Sequence, residues 1–190
     1  GGKDWFPNYV NYTLGTLVPQ TEKCGFVVVD RNGKRFTKEY YKHNRVYYEL
    51  TLYDADRLIY PRVPSYWIFD QKRMVDGQLP VRVAGPSGPL HLYNWSRDNK
   101  QELERGWIIQ ADTIKELAGK LELDAGNLEK TVADYNSYCE HGEDPEFHRP
   151  PWDLVPLKNP PYYAVKLWPG GPNTQGGPRR NQKAQIVNVD

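Results

Sequence analysis

The sequence is short of several features that would fix its class at once. Its 190 residues include two cysteines and one methionine, and no apolar run approaches the roughly 18 residues of a membrane span. Cys24 and Cys139 lie far apart and fit no C-x-x-C metal spacing. A single disulfide and two free thiols both stay open, and two free thiols are the simpler interpretation.

An excess of charge of one sign is also missing. The 25 basic and 24 acidic side chains give a formal net charge of +1, whereas nucleic-acid binding needs a clear basic excess. The four histidines form no H-E-x-x-H, and the chain has no G-x-S-x-G. We therefore expect no nucleic-acid partner and no metal site, and we expect His141 and His148 to lie on the solvated surface.

Aromatic residues are abundant instead. They make up 13% of the chain, with 14 tyrosines and 6 tryptophans. Rings bury a large area each and carry a polar tip. The composition therefore predicts one domain whose core is built from large rings and which packs against a solvated surface.

The hydrophobic pattern predicts helices and strands that do not alternate regularly. We predict a hairpin at 25–36 with Asn32-Gly33 as its turn, and helices at 37–58, 113–121 and 125–140. Strands are predicted at 66–70, 162–168 and 184–190, with little regular structure at 76–100. This order is typical of an α+β fold. On the second and third helices, the following apolar positions should be buried: Leu117, Leu121, Leu128, Val132 and Tyr135.

Several short patterns occur in a fixed order along residues 25–190. They are Gly33 to Phe36 with Glu39; Ala111 to Thr113 with Glu116 to Ala118; Thr131-Val132, Tyr135-Asn136, Gly142, Asp144, Phe147 and Arg149; Pro160 to Ala164; and Thr174, Gly176 and Gly177. No single piece is specific, but the series is. In this order the chain resembles the fumarate reductase/succinate dehydrogenase flavoprotein superfamily, which includes soluble fumarate reductases, urocanate reductase and 3-ketosteroid dehydrogenases.

The resemblance implies a domain organisation. The FAD-binding fold of that family opens with a strand, G-x-G-x-x-G and a helix, which this sequence lacks. Residues 25–168 then correspond to the capping domain that closes over flavin and substrate, with a small mixed sheet and packed helices. Residues 1–24 would continue from an FAD-binding domain of the same protein, and residues 169–190 would begin the return to it. FAD is expected in that larger protein and not bound to this chain alone; the resemblance indicates no cellular location.

The resemblance also implies site residues. The family's proton-donating Arg falls on His43, with Arg45 two residues later, and the His before T-x-G-G falls on Asn173. Thr174 and Glu39 would contact substrate, although Glu39 with Arg35 also suits a lock on the turn. Gly176 and Gly177 would let backbone approach the flavin, or form a plain turn. His43 is equally compatible with a surface position, and Arg45 with an ion pair to Glu49.

The reaction implied for the larger protein is hydride transfer between flavin and an activated C–C bond of a small-molecule substrate. Fumarate itself is not expected, because Asn173 offers a dipole where the family holds a carboxylate with His. The alternative is a stand-alone, aromatic-rich module that binds a ligand or a protein without catalysis. A natural reading frame that extends into a flavin-binding stretch would separate the two.

Overall fold

A four-stranded sheet organises the computed structural model, which describes residues 24–39, 48–79, 95–168 and 178–187. The strands are β1 (Phe26–Val29), β2 (Ser65–Asp70), β3 (Ile108–Ala111) and β4 (Tyr162–Leu167). They stand in the order β1-β2-β4-β3, and every neighbouring pair is antiparallel. A small sheet with several helices confirms the predicted α+β class, but the prediction of a mixed sheet is wrong, because every described strand pair is antiparallel. The division of the chain into domains stays a prediction.

The centre of the sheet is built from rings, as the composition predicts. All six residues of β2 are buried, so this strand shows none of the alternation of a half-exposed strand. The ring centroids of Trp67 and Phe69 lie 4.9 Å apart, and Phe69 stacks on Tyr163 of β4 at 5.7 Å. Phe26 of β1 meets Trp67 edge-on at 6.1 Å. These offset and edge-on arrangements are the ones that aromatic pairs prefer.

Four α-helices lie wholly within the described residues: α1 (Gln71–Val75), α2 (Lys100–Glu104), α3 (Ile114–Leu121) and α4 (Ala125–His141). The last two confirm the predicted helices at 113–121 and 125–140. Their predicted core positions are buried: Leu117 at 0% exposure, Leu121 at 3%, Leu128 at 0%, Val132 at 5% and Tyr135 at 0%. Within the described residues, none of the helices combines the length and the apolar character needed to cross a membrane.

Side chains at the ends of α3 and α4 explain why the sequence predicts these helices well. Thr113 Oγ1 accepts a hydrogen bond from the Glu116 amide at 3.1 Å, and Asp124 Oδ1 accepts one from the Asn127 amide at 2.7 Å. Both satisfy amides that a helix start leaves unpaired. Gly142 ends α4 with φ +70°, a conformation that favours glycine.

The predicted helix at 37–58 is wrong for most of its described residues. Residues 37–39 are not helical, residues 48–50 are, and residues 51–60 form turns; residues 40–47 lie outside the described part. Asp54 Oδ1 accepts hydrogen bonds from the Asp56 and Arg57 amides at 3.1 and 3.0 Å. This Asx turn gives the backbone an alternative to helical pairing.

The hairpin and the last strand are shorter than predicted. β1 pairs with β2, and the second arm of the hairpin is reduced to one bridge between Val29 and Arg35. Within 178–187, the predicted strand at 184–190 is a bridge between Arg180 and Ile186, because the Asn181 side chain accepts from two following amides and folds a turn. The sequence prediction also missed β3, α1 and α2.

A buried asparagine fastens the loops on either side of residues 80–94, which lie outside the described part. Asn99 Oδ1 accepts from the Leu79 amide and from Trp95 Nε1, both at 2.8 Å. Its Nδ2 donates to the carbonyls of Met74 at 3.0 Å and Gly77 at 2.9 Å. Asn99 adopts φ +62°, which asparagine tolerates better than most residues. One side chain therefore holds positions 79 and 95 at the same point of the fold.

Gly25 marks the closest backbone approach at the edge of the sheet. A Cβ atom there would lie 2.1 Å from the Val155 carbonyl oxygen and 2.9 Å from that of Pro156. Both obstacles are backbone, so neither can rotate away. We expect Gly25→Ala to lower the free energy of unfolding by about 1–3 kcal/mol or more, the usual cost of overpacking.

The matched control is Gly119→Ala, since nothing lies within 4 Å of a Cβ at this position of α3. Removing a mid-helix glycine should stabilise the chain by about 0.5–1 kcal/mol. Urea denaturation of both variants gives the comparison. Equal effects of the two substitutions would contradict the close approach at Gly25.

Candidate functional site

Beside β1 lies a set of charged residues that we name the buried ion cluster: Arg35 (8% exposed), Glu39 (2%), Asp144 (1%), Arg149 (2%) and Asp153 (2%). Charged side chains are rarely buried to this degree unless they are paired. The cluster contains two guanidinium groups and three carboxylates, drawn from distant parts of the sequence. It is the most concentrated group of buried charge in the described residues.

Arg35 joins two carboxylates with one planar group. Its Nε and Nη2 atoms donate to the two Glu39 carboxylate oxygens, both at 2.8 Å. Its Nη2 and Nη1 atoms donate to Asp144 at 2.7 and 3.3 Å. The guanidinium carbon also lies 5.3 Å from the ring centroid of Tyr135 and 4.9 Å from that of Phe147. Bidentate pairing and ring contact together use the features in which arginine differs from lysine.

Arg149 and Glu39 bond the backbone of β1 along the edge where, within the described ranges, no further strand pairs with it. Arg149 Nη1 donates to the Phe26 carbonyl at 2.7 Å, and the Val28 amide donates to Glu39 Oε1 at 3.3 Å. Arg149 Nε donates to Asp153 at 2.6 Å, and its Nη1 lies 3.6 Å from Glu39 Oε2. Unpaired groups at a sheet edge invite pairing with other chains. Here charged side chains cover them.

Turn and helix geometry bring the two halves of the cluster together. Gly33, at φ +75°, reverses the chain between β1 and Arg35. The Thr131 hydroxyl donates to the Gly33 carbonyl at 2.8 Å and so fixes this turn against α4. Asp144 follows the end of α4 at Gly142 and also accepts from the Phe147 amide at 3.2 Å. The turn packed at the start of α4 and the loop at its end thus carry partners of one ion pair.

Burial and charge act in opposite directions on the pKa values of the cluster. Burial disfavours the Asp144 carboxylate, but the hydrogen bonds and charge of Arg35 outweigh it and lower its pKa. Burial also opposes the Arg35 charge, yet Glu39 and Asp144 raise its pKa. For Asp153, burial prevails over the attraction of Arg149 and raises the pKa. The two aspartates therefore respond to acid with opposite signs.

One predicted site residue lies in the described part of the chain. Glu39 is buried and bonded to Arg35 and the Val28 amide, which supports its role in locking the turn; its contact with substrate stays a prediction. The other six are outside the described residues: His43, Arg45, Asn173, Thr174, Gly176 and Gly177. His141 and His148 are exposed, as predicted.

The sequence patterns contain four of the five cluster residues, but they do not show that these residues meet in one buried cluster. Asp144 and Arg149 belong to the G-x-D-x-x-F-x-R pattern, and Arg35 and Glu39 to the turn pattern, but their contact across 109 residues has no local signal. Asp153 lies outside every quoted pattern. The local signals were two spacings of four residues that suit ion pairs: Arg35 with Glu39, interpreted from the sequence as a lock on the turn, and Arg149 with Asp153.

The described residues do not fit a dinucleotide cofactor or a metal. Gly33 packs against α4 and leaves no room for a ligand, since a Cβ atom at this position would lie 3.3 Å from the Cβ atom of Leu128. Gly126, in the first turn of α4, lies beside the Asp124 carboxylate, which repels phosphate. In the described ranges, no three His, Cys, Asp or Glu side chains are grouped to hold a metal ion.

The first prediction for the cluster concerns Arg35. In Arg35→Met, the Glu39 and Asp144 carboxylates lose their shared cation while buried, so we expect a loss of about 3–5 kcal/mol in the free energy of unfolding. Arg35→Lys should lose less, because the charge remains but the bidentate geometry does not. Lys130→Met is the control, since it breaks an exposed ion pair with Asp134 on α4 and should lower the free energy of unfolding far less, because water screens the pair. Equal losses in Arg35→Met and Lys130→Met, measured by urea denaturation, would refute the role of the cluster.

The second prediction concerns acid. Because the pKa of Asp144 is lowered on folding, its contribution is present above about pH 4, the unfolded value, and is lost as the pH falls through the folded value. Asp144→Asn should therefore flatten the fall in stability below about pH 4. The raised pKa of Asp153 has the opposite sign and acts above about pH 4, where protonation of the folded state adds stability as the pH falls, so Asp153→Asn should remove that gain between about pH 6 and pH 4. Urea denaturation between about pH 2.5 and 6 measures both slopes, and slopes that change in the same direction would contradict the assignment.

Comparison with known proteins identifies the family of the chain. Residues 6–189 match the FAD binding domain family. The 4-oxocyclohexanecarboxylate 2-dehydrogenase of Sinomonas cyclohexanicum is 28% identical over 194 residues, covering 93% of this chain and 31% of that protein. The chain spans about a third or less of the length of the curated relatives it matches.

Two known structures share the fold. The 3-ketosteroid delta1-dehydrogenase of Sterolibacterium denitrificans aligns with a TM-score of 0.63 at 24% identity, over 91% of this chain and 32% of that one. A solution structure of the fumarate reductase flavoprotein subunit from Lactobacillus plantarum aligns with a TM-score of 0.58 at 15% identity, over 84% of this chain and 92% of that one. The family match extends over nearly the whole chain and confirms the resemblance. The chain belongs to the FAD-binding family of flavoprotein oxidoreductases of the fumarate reductase and 3-ketosteroid dehydrogenase type.

Proposed function

We propose that residues 25–168 are the substrate-capping domain of an FAD-dependent oxidoreductase, and that the whole protein transfers hydride between flavin and an activated C–C bond. Membership of the FAD-binding family supports the cofactor. The share of its relatives that the chain spans supports a flavin-binding part elsewhere in the same protein. The fold also occurs in a chain of similar length, of which 92% is covered, and this supports its treatment as a unit.

The observation that carries the proposal is the way the described structure borders positions 40–47. On one side, Glu39 is bonded to Arg35 and to the Val28 amide. On the other side, Arg62 donates to the Glu49 carbonyl at 2.9 Å and forms an ion pair with its carboxylate. The stretch that contains His43 and Arg45 thus begins and ends at anchored residues. Such anchoring suits groups that must meet a substrate in a fixed geometry.

Each proposed site residue has a role that its chemistry permits. His43 would move the proton that accompanies hydride transfer, since an imidazole titrates near neutral pH. Arg45 would orient a carbonyl or carboxylate group. Asn173 and Thr174 would hold the substrate through neutral hydrogen bonds. Gly176 and Gly177 would admit the flavin close to backbone.

The proposed substrate carries a C–C bond next to a carbonyl or carboxyl group. Similar proteins include a 4-oxocyclohexanecarboxylate 2-dehydrogenase and a 3-ketosteroid delta1-dehydrogenase, which supports a carbonyl group next to the reacting bond. A dicarboxylate is less suitable, because Asn173 and His43 stand at the two positions where the family uses charged His and Arg.

The corresponding prediction is that the complete protein is a poor fumarate reductase. Loss of one charged hydrogen-bonding partner costs about 1.5–3 kcal/mol, so two losses should slow turnover by about 10²- to 10⁴-fold. The measurement is reoxidation of the reduced flavin by fumarate and by a panel of enoates and enones. We expect slow reoxidation by fumarate and faster reoxidation by at least one enone.

Two alanine variants locate the proton donor in the same assay. His43→Ala should abolish reoxidation by the best substrate if His43 moves the proton, whereas Arg45→Ala should mainly raise KM. Rapid reoxidation by fumarate that is lost in Arg45→Ala and kept in His43→Ala would overturn both the specificity and the assignment. A complete protein that contains no flavin would instead favour the stand-alone binding module.

A further inference from the structure

A tight hairpin between Tyr53 and Tyr60, which we name the 53–60 hairpin, projects from the described chain. Asp54 and Ile59 exchange two backbone hydrogen bonds, at 2.9 and 3.2 Å. The Asp54 side chain caps the amides of Asp56 and Arg57 inside it. Its conformation is therefore fixed by its own hydrogen bonds.

The hairpin presents apolar side chains to solvent. Leu58 is 74% exposed, Tyr60 49% and Tyr53 47%, and the neighbouring Leu52 is 54% exposed. The rings of Tyr53 and Tyr60 lie 5.0 Å apart and form one continuous surface. Single exposed apolar residues are ordinary, whereas contiguous ones mark interaction surfaces.

Leu58 is held in an unfavourable conformation. Its φ is +56°, a region that bulky side chains rarely adopt. Asparagine or glycine would suit this position better, and a polar residue would suit its exposure better. Two local preferences are thus overridden at one residue, which is the pattern expected where a side chain serves an interaction.

The base of the hairpin is firmly attached to the sheet. The Arg31 amide donates to the Pro61 carbonyl at 3.1 Å, which joins the hairpin to the turn after β1. Arg62 bonds Glu49 and lies 5.0 Å from the ring centroid of Phe36. The apolar tip therefore has a fixed position relative to the core, and a partner need not order it on binding.

We propose that the 53–60 hairpin is a docking surface for the flavin-binding part of the same protein. The proposal rests on the proposed function. Relatives extend well beyond this chain, which covers 31% of one of them, so the occupant is the polypeptide that the chain does not include. The surface mixes Leu58 and two tyrosines with the charges of Asp56 and Arg57, and contacts between domains of one chain are typically mixed in this way.

The test compares amide hydrogen exchange at Arg57 to Tyr60 in this chain and in the protein from the complete natural reading frame. We expect exchange at least tenfold slower in the complete protein. Leu58→Asn should remove that protection there while leaving the isolated chain folded, since asparagine tolerates positive φ. Val75→Asn is the matched control, because Val75 is 68% exposed on α1, and it should leave the protection unchanged.

Equal exchange in both proteins would overturn the proposal, as would a reading frame that ends with this chain. So would concentration-dependent dimers of the isolated chain that Leu58→Asn abolishes, since the occupant would then be a second copy. The flavin absorbance of the complete protein is measured separately. Protection of the hairpin in a complete protein without flavin would refute the proposed function and support the docking surface. Flavin in a complete protein whose hairpin is not protected would support the proposed function and refute the docking surface.

Discussion

The bidentate contact of Arg35 with Glu39 and Asp144 is the interaction on which the rest of the described fold depends. Arg35 follows the turn after β1, and Asp144 follows the end of α4, 109 residues later. One planar group thus fixes the sheet edge to the far end of the longest helix. A guanidinium can bond two carboxylates in its plane and contact rings on its faces, here Tyr135 and Phe147. No other natural side chain supplies both.

Burying the cluster lowers the stability of the fold in one respect and restricts its conformation in another. Three buried carboxylates face two buried guanidinium groups, and Arg149 Nη2 has no hydrogen-bond partner among the described residues. Removing charges from water is costly, and a buried ion pair often contributes less to stability than an apolar replacement would. What such a cluster adds is a single arrangement, because any slip of the β1 turn along α4 would leave a buried charge unpaired.

Local signals account for what the sequence predicts correctly. Thr113 and Asp124 cap their helices within three residues, and the apolar spacing of Leu128, Val132 and Tyr135 has the helical period. Residues 51–60 contain neither glycine nor proline, so the pattern favoured a helix, but the Asp54 side chain competes for the same amides. β3 was not predicted because four residues are too few to show a strand pattern, and this segment becomes a strand through its pairing with β4. The contact of Arg35 with Asp144 was not predicted for a similar reason, since no periodicity links residues 109 positions apart.

The position of the buried charges indicates which residues support the fold. Each charged group of the cluster is bonded to another member or to the backbone of β1, as the Glu39 contact with the Val28 amide illustrates, although Arg149 Nη2 has no partner in the described part of the chain. Leaving any of these buried groups unpaired would be costly. The cluster therefore suits a scaffold better than a reaction centre. This supports the proposal that the chemistry lies elsewhere in the protein, with His43, four residues after Glu39 in the sequence, as the proposed proton carrier.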